Sequence, residues 1–243
     1  VPAVKGSIKS PVTVSLDFDD DHKDACPMFV GRYFKGVNNG ESPQWLKDKL
    51  LAIGLRPISA LVDITNYSTI AFNRPLHVFD ADKIKGNIHV RMANDGEKML
   101  ALDGKEYELD GEMTVIADDQ DAEALAGVMG GERTGVSETT INVMLEAAYF
   151  NPVRTAMTGR KLNLQSDARY RFERGVDPAF PQGHGDGSRW HCQGHRHGPR
   201  GACTGCKGRG LLHDHSWRAG IRSRPEEWPA VACGCAGTRW WPK

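Results

Sequence analysis

Three groups of residues in this chain are of types that do chemistry. The first is Thr65-Asn66, followed eleven or twelve positions later by His77. Histidine titrates nearest neutrality and serves as acid, base or orienting group. Thr and Asn can supply a hydroxyl and an amide beside it. The same residues have a plainer reading, since Thr and Asn cap helices and turns and a lone His is more often structural than catalytic. Pro75, just ahead, imposes an extended approach that sets His77 at a strand or loop end. The second group is Glu146 at the end of Ile141, Val143 and Leu145. On a period of two those three share one strand face and Glu146 points to the other. It is then either a solvated strand-end carboxylate or an acceptor in a site. The third is Leu125–Gly131, an apolar run with three glycines. It reads as a buried strand ending in a turn, or as a place where Gly127, lacking a side chain, lets a ligand approach. It lacks the Lys-Ser/Thr ending of a phosphate loop.

The elements that must position these residues are mostly strands. Met28 to Val37, Ile88 to Met92, Met113 to Ala117 and Ile141 to Leu145 read as strands, and Met99 to Leu109 as a hairpin turning at Asp103-Gly104. Ser42-Pro43 reads as the cap and first residue of a helix carrying Trp45, Leu46, Leu50 and Ile53, stopped by Gly54. Asn151-Pro152 caps a second helix running to about Leu162. The expected class is α+β, a mixed β-sheet domain with short helices. No internal repeat is visible, and the strand order does not follow from the pattern.

Charge and cysteine divide the chain. Residues 1–180 carry 21 Lys and Arg against 27 Asp and Glu, whereas residues 181–243 carry 10 against 4. Cys26 stands alone in the first part; Cys192, Cys203, Cys206, Cys233 and Cys235 crowd the second. A large body with one cysteine fits a reducing compartment and no disulfide framework. No apolar run reaches the ~20 residues of a membrane span, and the start at Val1 has no signal-peptide pattern. The chain reads as a fragment with an upstream part missing. Residues 1–25, including the acidic run Asp17 to Asp21, read as a linker; 26–180 as the functional body; 181–243 as an unstructured or out-of-frame tail. In that tail Cys203-x-x-Cys206 with Cys233-x-Cys235 allows a zinc-binding, nucleic-acid-binding reading. A frame shift accounts for the text better. His184-Gly185-Asp186, written CAT-GGA-GAT, hides Met-Glu-Met one base along.

Arg56-Pro57-Ile58, Val62 to Tyr67, Arg74 to Asp80, Leu125 to Glu132 and Arg171 to Pro178, in that order, resemble the editing module of the beta subunit of bacterial phenylalanyl-tRNA synthetase. The resemblance covers about residues 26 to 180. It implies hydrolysis of tyrosyl-tRNA(Phe), with the tyrosine ring against Ala126 and Gly127 and its hydroxyl on Glu146. A buried acceptor suits that task, because phenylalanine would leave it unpaired. Thr65, Asn66 and His77 would orient the ester or the attacking water, and Arg56, Ser166 and Ala168 match further pocket positions. Ser166 departs from the Thr found in many members, and Phe72-Asn73-Arg74 replaces the usual Glu-x-Gly-Gln. Arg154, Arg160, Lys161, Arg169, Arg171 and Arg174 form either a solvated helix face or a contact for the tRNA 3′ end. The implied partners are the alpha subunit, in a two-alpha, two-beta assembly, and tRNA(Phe), with no membrane and in the cytoplasm. The implied cofactors are ATP and magnesium for the parent ligase and none in this fragment, with no metal site. A non-catalytic structural or tRNA-docking module is the alternative.

Overall fold

A computed structural model describes residues 8–178. The tail expected to be out of frame lies outside them. Ten strands and four helices make an α+β fold. In chain order they are β1 (Val14–Asp17), β2 (Met28–Lys35), α1 (Gln44–Ala52), α2 (Ala60–Phe72), β3 (His77–Asp80), β4 (Ile88–Met92) and β5 (Lys98–Leu100). They continue with β6 (Glu106–Glu108), β7 (Thr114–Ala117), β8 (Ala122–Leu125), β9 (Met129–Gly130), β10 (Asn142–Tyr149), α3 (Pro152–Lys161) and α4 (Asp167–Phe172).

A five-stranded sheet runs β1-β4-β7-β8-β9, a three-stranded sheet β2-β10-β3, and β5 and β6 form a hairpin. β1 joins β4 in parallel; the other pairings are antiparallel. Phe79, Met144 and Ala148 from the three-stranded sheet share one core with Val90, Ile116 and Ala124 from the five-stranded sheet. The opposite face of β7 and β8, carrying Val115, Ala117 and Leu125, packs with Met99, Leu109 and Met113 around the hairpin. Both faces of the larger sheet are therefore covered, which is why β7 and β8 are buried at every position.

Local chemistry fixes several ends. Gly104 takes φ +77° in the hairpin turn, where the Asp103 carboxylate accepts from the Tyr107 hydroxyl and the Lys105 amide. The Asn151 side chain accepts from the amides of Val153 and Arg154 at the start of α3, with Pro152 as its first residue. The α1 expectation shifts by one: Pro43 is the cap residue and makes no side-chain bond. The Ser42 hydroxyl donates instead to buried Asp63, which also accepts from the Ile58 amide. Leu46 and Leu50 carry the burial of α1, while Trp45 and Ile53 stay exposed.

Two expectations are corrected here. Residues 8–25 are not a plain linker: β1 pairs with β4 in the register Val14↔Ile88 to Asp17↔Arg91, and Val12 and Ala25 are buried. The sequence reading also assigns no element to residues 60–72, which form the longest helix described.

Candidate functional site

β10 is the middle strand of its sheet, and its register decides the site. Glu146 stands opposite Gly31 of β2 on one side and opposite His77 of β3 on the other. The strand continues to Tyr149, so its core face is Met144, Glu146 and Ala148. The expected alternation is thus corrected. Glu146 lies on the core face, 5% exposed, whereas Ile141 precedes the strand and is 56% exposed. Gly31 belongs there because a Cβ would press on the Met144 sulfur at 3.3 Å.

Glu146 and His77 both line a cavity of about 70 Å³ between the two sheets. Its wall is mainly apolar: Ile116, Ala124 and Leu125 from β7 and β8, Gly127 and Val128 from the following turn, and Ala168 and Phe172 from α4. Pro75 and Leu76 reach it from the approach to β3. Gly127 takes φ +72°, and a Cβ there would sit 3.0 Å from the Phe150 ring and 3.1 Å from the Phe172 ring. Those two rings meet edge to face, with centroids 5.2 Å apart. The Ser166 hydroxyl caps α4 by accepting from the Arg169 amide, and donates to the Val128 carbonyl at 2.6 Å. That hydroxyl clamps the α4 wall to the glycine turn.

Burial dominates the electrostatics. It lifts the Glu146 carboxyl to about 8 and lowers the His77 imidazole to about 4, because a charge in this enclosure has lost its water. Neither side chain has a hydrogen-bond partner among the described residues, and His77 Nε2 is fully enclosed without one. At neutral pH the pair is an uncharged acid beside an uncharged imidazole. Burial, and after it the charge of Glu146, also pushes the Cys26 thiol well up, which makes it an inert core residue.

Gly130 makes room for the imidazole: a Cβ there would lie 2.4 Å from His77 Cε1. Gly130→Ala should therefore displace the ring, with an overpacking cost of roughly 1–3 kcal/mol. The melting temperature should fall by several degrees and recover in Gly130→Ala/His77→Ala. No recovery in the double variant would show that the clash is elsewhere.

The other expected site residues are distributed as follows. Gly127, Ala168, Glu146 and His77 line the cavity. Ala126 is buried in the shared core behind it. Ser166 acts on the wall through its cap. Thr65 and Asn66 lie within α2 and are not among the cavity-lining residues; the Thr65 hydroxyl donates to the Val62 carbonyl of its own helix. Arg56 is exposed between α1 and α2. Ala124, Phe172 and Gly130 were not singled out from sequence. The glycine-rich run marked Gly130, but the histidine it accommodates is over fifty positions away.

The basic set is largely neutralised within the fold. Arg154 pairs with Asp24, Lys161 with Asp110 and Glu112, Arg169 and Arg174 with Glu173, and Arg171 with Asp167. A larger, open depression of about 570 Å³ is lined by Lys98, Leu100, Glu132 and Arg133 among others. Its charged feature is compensated: Arg133 pairs with buried Asp118 and Glu123. The smaller cavity, which brings the buried Glu146 carboxyl and the unpaired Nε2 of His77 into one mainly apolar wall, is the better candidate.

The sequence profile of the B3/4 domain matches residues 25–185. The chain belongs to the B3/4 domain family. The stretch is 61% identical over 180 residues to the phenylalanine--tRNA ligase beta subunit of Paramagnetospirillum magneticum, covering 74% of this chain and 23% of that protein. It is 59% identical over 177 residues to the corresponding subunit of Ruegeria pomeroyi, covering 73% of this chain and 22% of the relative. The B3/4 domain chain thus spans under a quarter of the length of these curated relatives. A crystal structure of an N-terminal fragment of the phenylalanyl-tRNA synthetase beta subunit from Pyrococcus horikoshii aligns at a TM-score of 0.42 and 19% identity. That alignment covers 65% of this chain and 53% of the other, and is too loose to carry an argument. The B3/4 profile spans every strand of the cavity wall, from β2 to β10, together with α4. No helix among the described residues is long and apolar enough to cross a membrane.

Proposed function

We propose that the cavity is an editing site that binds the aromatic ring of tyrosine esterified to tRNA(Phe), so that the ester is hydrolysed and tyrosine and tRNA are released. The observation that carries this reading is Glu146, a buried carboxyl without a partner, at the polar end of a mainly apolar cavity. A phenol offers it a hydrogen bond; a phenyl ring leaves it unpaired, which is the stronger basis for discrimination. The cavity is about half the roughly 150 Å³ in which an apolar protein cavity admits benzene, so a ring needs a yielding wall.

The water attacks the ester carbon and the bond to the ribose oxygen breaks, with the proton passing to the released tRNA hydroxyl. Orientation of that water by polar groups at the mouth, with help from the tRNA's own terminal hydroxyl, is sufficient. The Thr65, Asn66 and His77 roles implied by the resemblance belong to this proposal. In the parent assembly the alpha subunit would carry amino-acid activation with ATP and magnesium, in the cytoplasm. Among the described residues no three His, Cys, Asp or Glu side chains are grouped to hold a metal ion, and no step here is routed through one.

The test is a pair of single-turnover deacylation rates with tyrosyl- and phenylalanyl-tRNA(Phe). A hydrogen bond between uncharged groups is worth roughly 0.5–1.5 kcal/mol, so Glu146→Ala should slow the tyrosyl reaction about 2- to 12-fold. The phenylalanyl reaction should stay slow. An equal fall in both rates would remove Glu146 as the sensor. The position of Thr65 and Asn66 in α2, outside the cavity lining, favours a second reading: a tRNA-docking module whose pocket binds without hydrolysing. Tyrosyl-tRNA binding with no wild-type deacylation would select it.

A further inference from the structure

β1 is an edge strand, bonded in its sheet to β4 alone among the described residues. Its start is anchored by the Thr13 amide and hydroxyl, which both donate to the Asn87 side chain. Its far end is tied down by the ring of His89, which stands opposite Ser15 in the parallel register. His89 Nδ1 lies 2.7 Å from Asp17 Oδ2 and 3.0 Å from the Ser15 hydroxyl, which itself donates to Asp17. Its Nε2 lies 2.8 Å from Asp119 Oδ1, in the turn between β7 and β8. An ionised carboxylate only accepts, so both ring nitrogens must carry hydrogen, and only the imidazolium has two such hydrogens. The turn is shaped for its part. A Cβ at Gly86 would fall on the Asp119 carboxylate, and the Asn87 amide donates to the same Asp119 oxygen at 3.0 Å.

We propose that His89 is a charge-operated latch: as the imidazolium it bridges Asp17 and Asp119 and holds residues 15–17 in the sheet, and on losing its proton to solvent it lets them open. A neutral ring donates to one carboxylate and not to both. The link from β1 to the turn is then broken on one side or the other, and Asp17 and Asp119 flank the ring with no positive charge between them. The neighbouring elements supply no substitute cation. Arg91, two positions along β4, is held through two nitrogens by Glu97, and β7 presents Ala117 opposite His89. Hydrogen bonds to Asp119, and then to Asp17, raise the imidazole above its ordinary 6.5. A group raised in this way stabilises fully below pH 6.5 and ceases to do so as pH rises through the folded value. What the latch guards is apolar. Val14 and Leu16 pack against the core shared by the two sheets, and Val14 lies over Gly31, the residue opposite Glu146 on β10.

The experiment is NMR on the full chain between pH 5.5 and 8.5. It follows the His89 ring nitrogens, assigned with His89→Gln, together with the exchange of backbone amides in β1 and β7. Each amide is corrected for its intrinsic rate, and β1 is read relative to β7 so that global unfolding cancels. Both ring nitrogens should be protonated at the acid end. The relative protection of β1 should fall about 1.5- to 5-fold, the range that exposed ion pairs give, along the His89 titration. His89→Gln should show the lowered protection at every pH. His89→Arg, charged throughout, should keep β1 protected to pH 8.5. Asp119→Asn should bring the His89 titration back towards 6.5 and carry the loss of protection with it. Protection of β1 that ignores the His89 titration, or a wild-type His89 that titrates at 6.5 or below, overturns the proposal.

Discussion

At pH 8, Glu146→Gln should melt well above the wild-type chain, and at pH 5 the two should melt within a few degrees of each other. The carboxyl sits at about 8 in the fold against an ordinary 4.5, so the unfolded chain ionises it first and the folded state loses stability as pH rises through that interval. At 1.36 kcal/mol per pKa unit the accumulated cost at pH 8 is on the order of 4–5 kcal/mol. For a chain of this size that is roughly 10 °C or more in melting temperature. His77 acts in the opposite sense: its folded value of about 4 against an ordinary 6.5 makes acid destabilising as pH falls below 6.5. Between about 4.5 and 6.5 the native pair holds its proton on Glu146 and the unfolded pair holds it on His77. The proton counts match and this pair contributes no slope there. Stability should then fall by about one proton's slope between pH 6.5 and 8, and Glu146→Gln should abolish that fall. A wild-type curve flat from pH 6.5 to 8, or a variant that tracks it, would show that Glu146 is hydrated in solution.

Arg74→Met should cost about as much at every neutral pH. Arg74 is 1% exposed. It donates to the Ala148 carbonyl at 3.2 Å and to the Asp177 carbonyl, so one guanidinium ties the middle strand β10 to the segment after α4. Methionine keeps the aliphatic length and strands both acceptors. Breaking a buried charged contact of this kind costs roughly 3–5 kcal/mol. Urea unfolding should show the midpoint falling with little change in slope. A loss under 1 kcal/mol would mean that water replaces the guanidinium at both carbonyls.

What could be read from sequence was local. Asp103-Gly104 specified its turn and Asn151-Pro152 its helix start because the bonds that satisfy them lie within a few residues. Glu146 shows the limit. Reading the strand from Ile141 to Leu145 put the carboxylate opposite the apolar set; the strand runs on to Tyr149, and pairing with β2 and β3 puts the even positions on the core face. The β-branched Val62, Ile64, Thr65 and Thr69 do not advertise a helix, yet α2 forms, with buried Asp63 bonded to Ser42 and the Ile58 amide near its start. α4 is too short to leave a period. β1 could not be seen because its partner lies 74 positions on. Of the candidate site, the polar residues were visible by type, whereas the facing of His77 onto Glu146 is a matter of strand register that neither segment encodes alone.

The placement of β10 also sets an order of events on the ribosome. Its neighbours β2 and β3 are translated long before it, and neither pairs with the other. A nascent chain that has just emitted His77 must therefore keep two strand edges open until Tyr149 has emerged. The Arg74 tie to residue 177 can close only after that. The site should come into being late and in a single step, and edge-to-edge association should peak in chains halted between residues 80 and 142. Any excised version of the module meant to fold by itself needs to begin ahead of Val14 and to extend past Asp177.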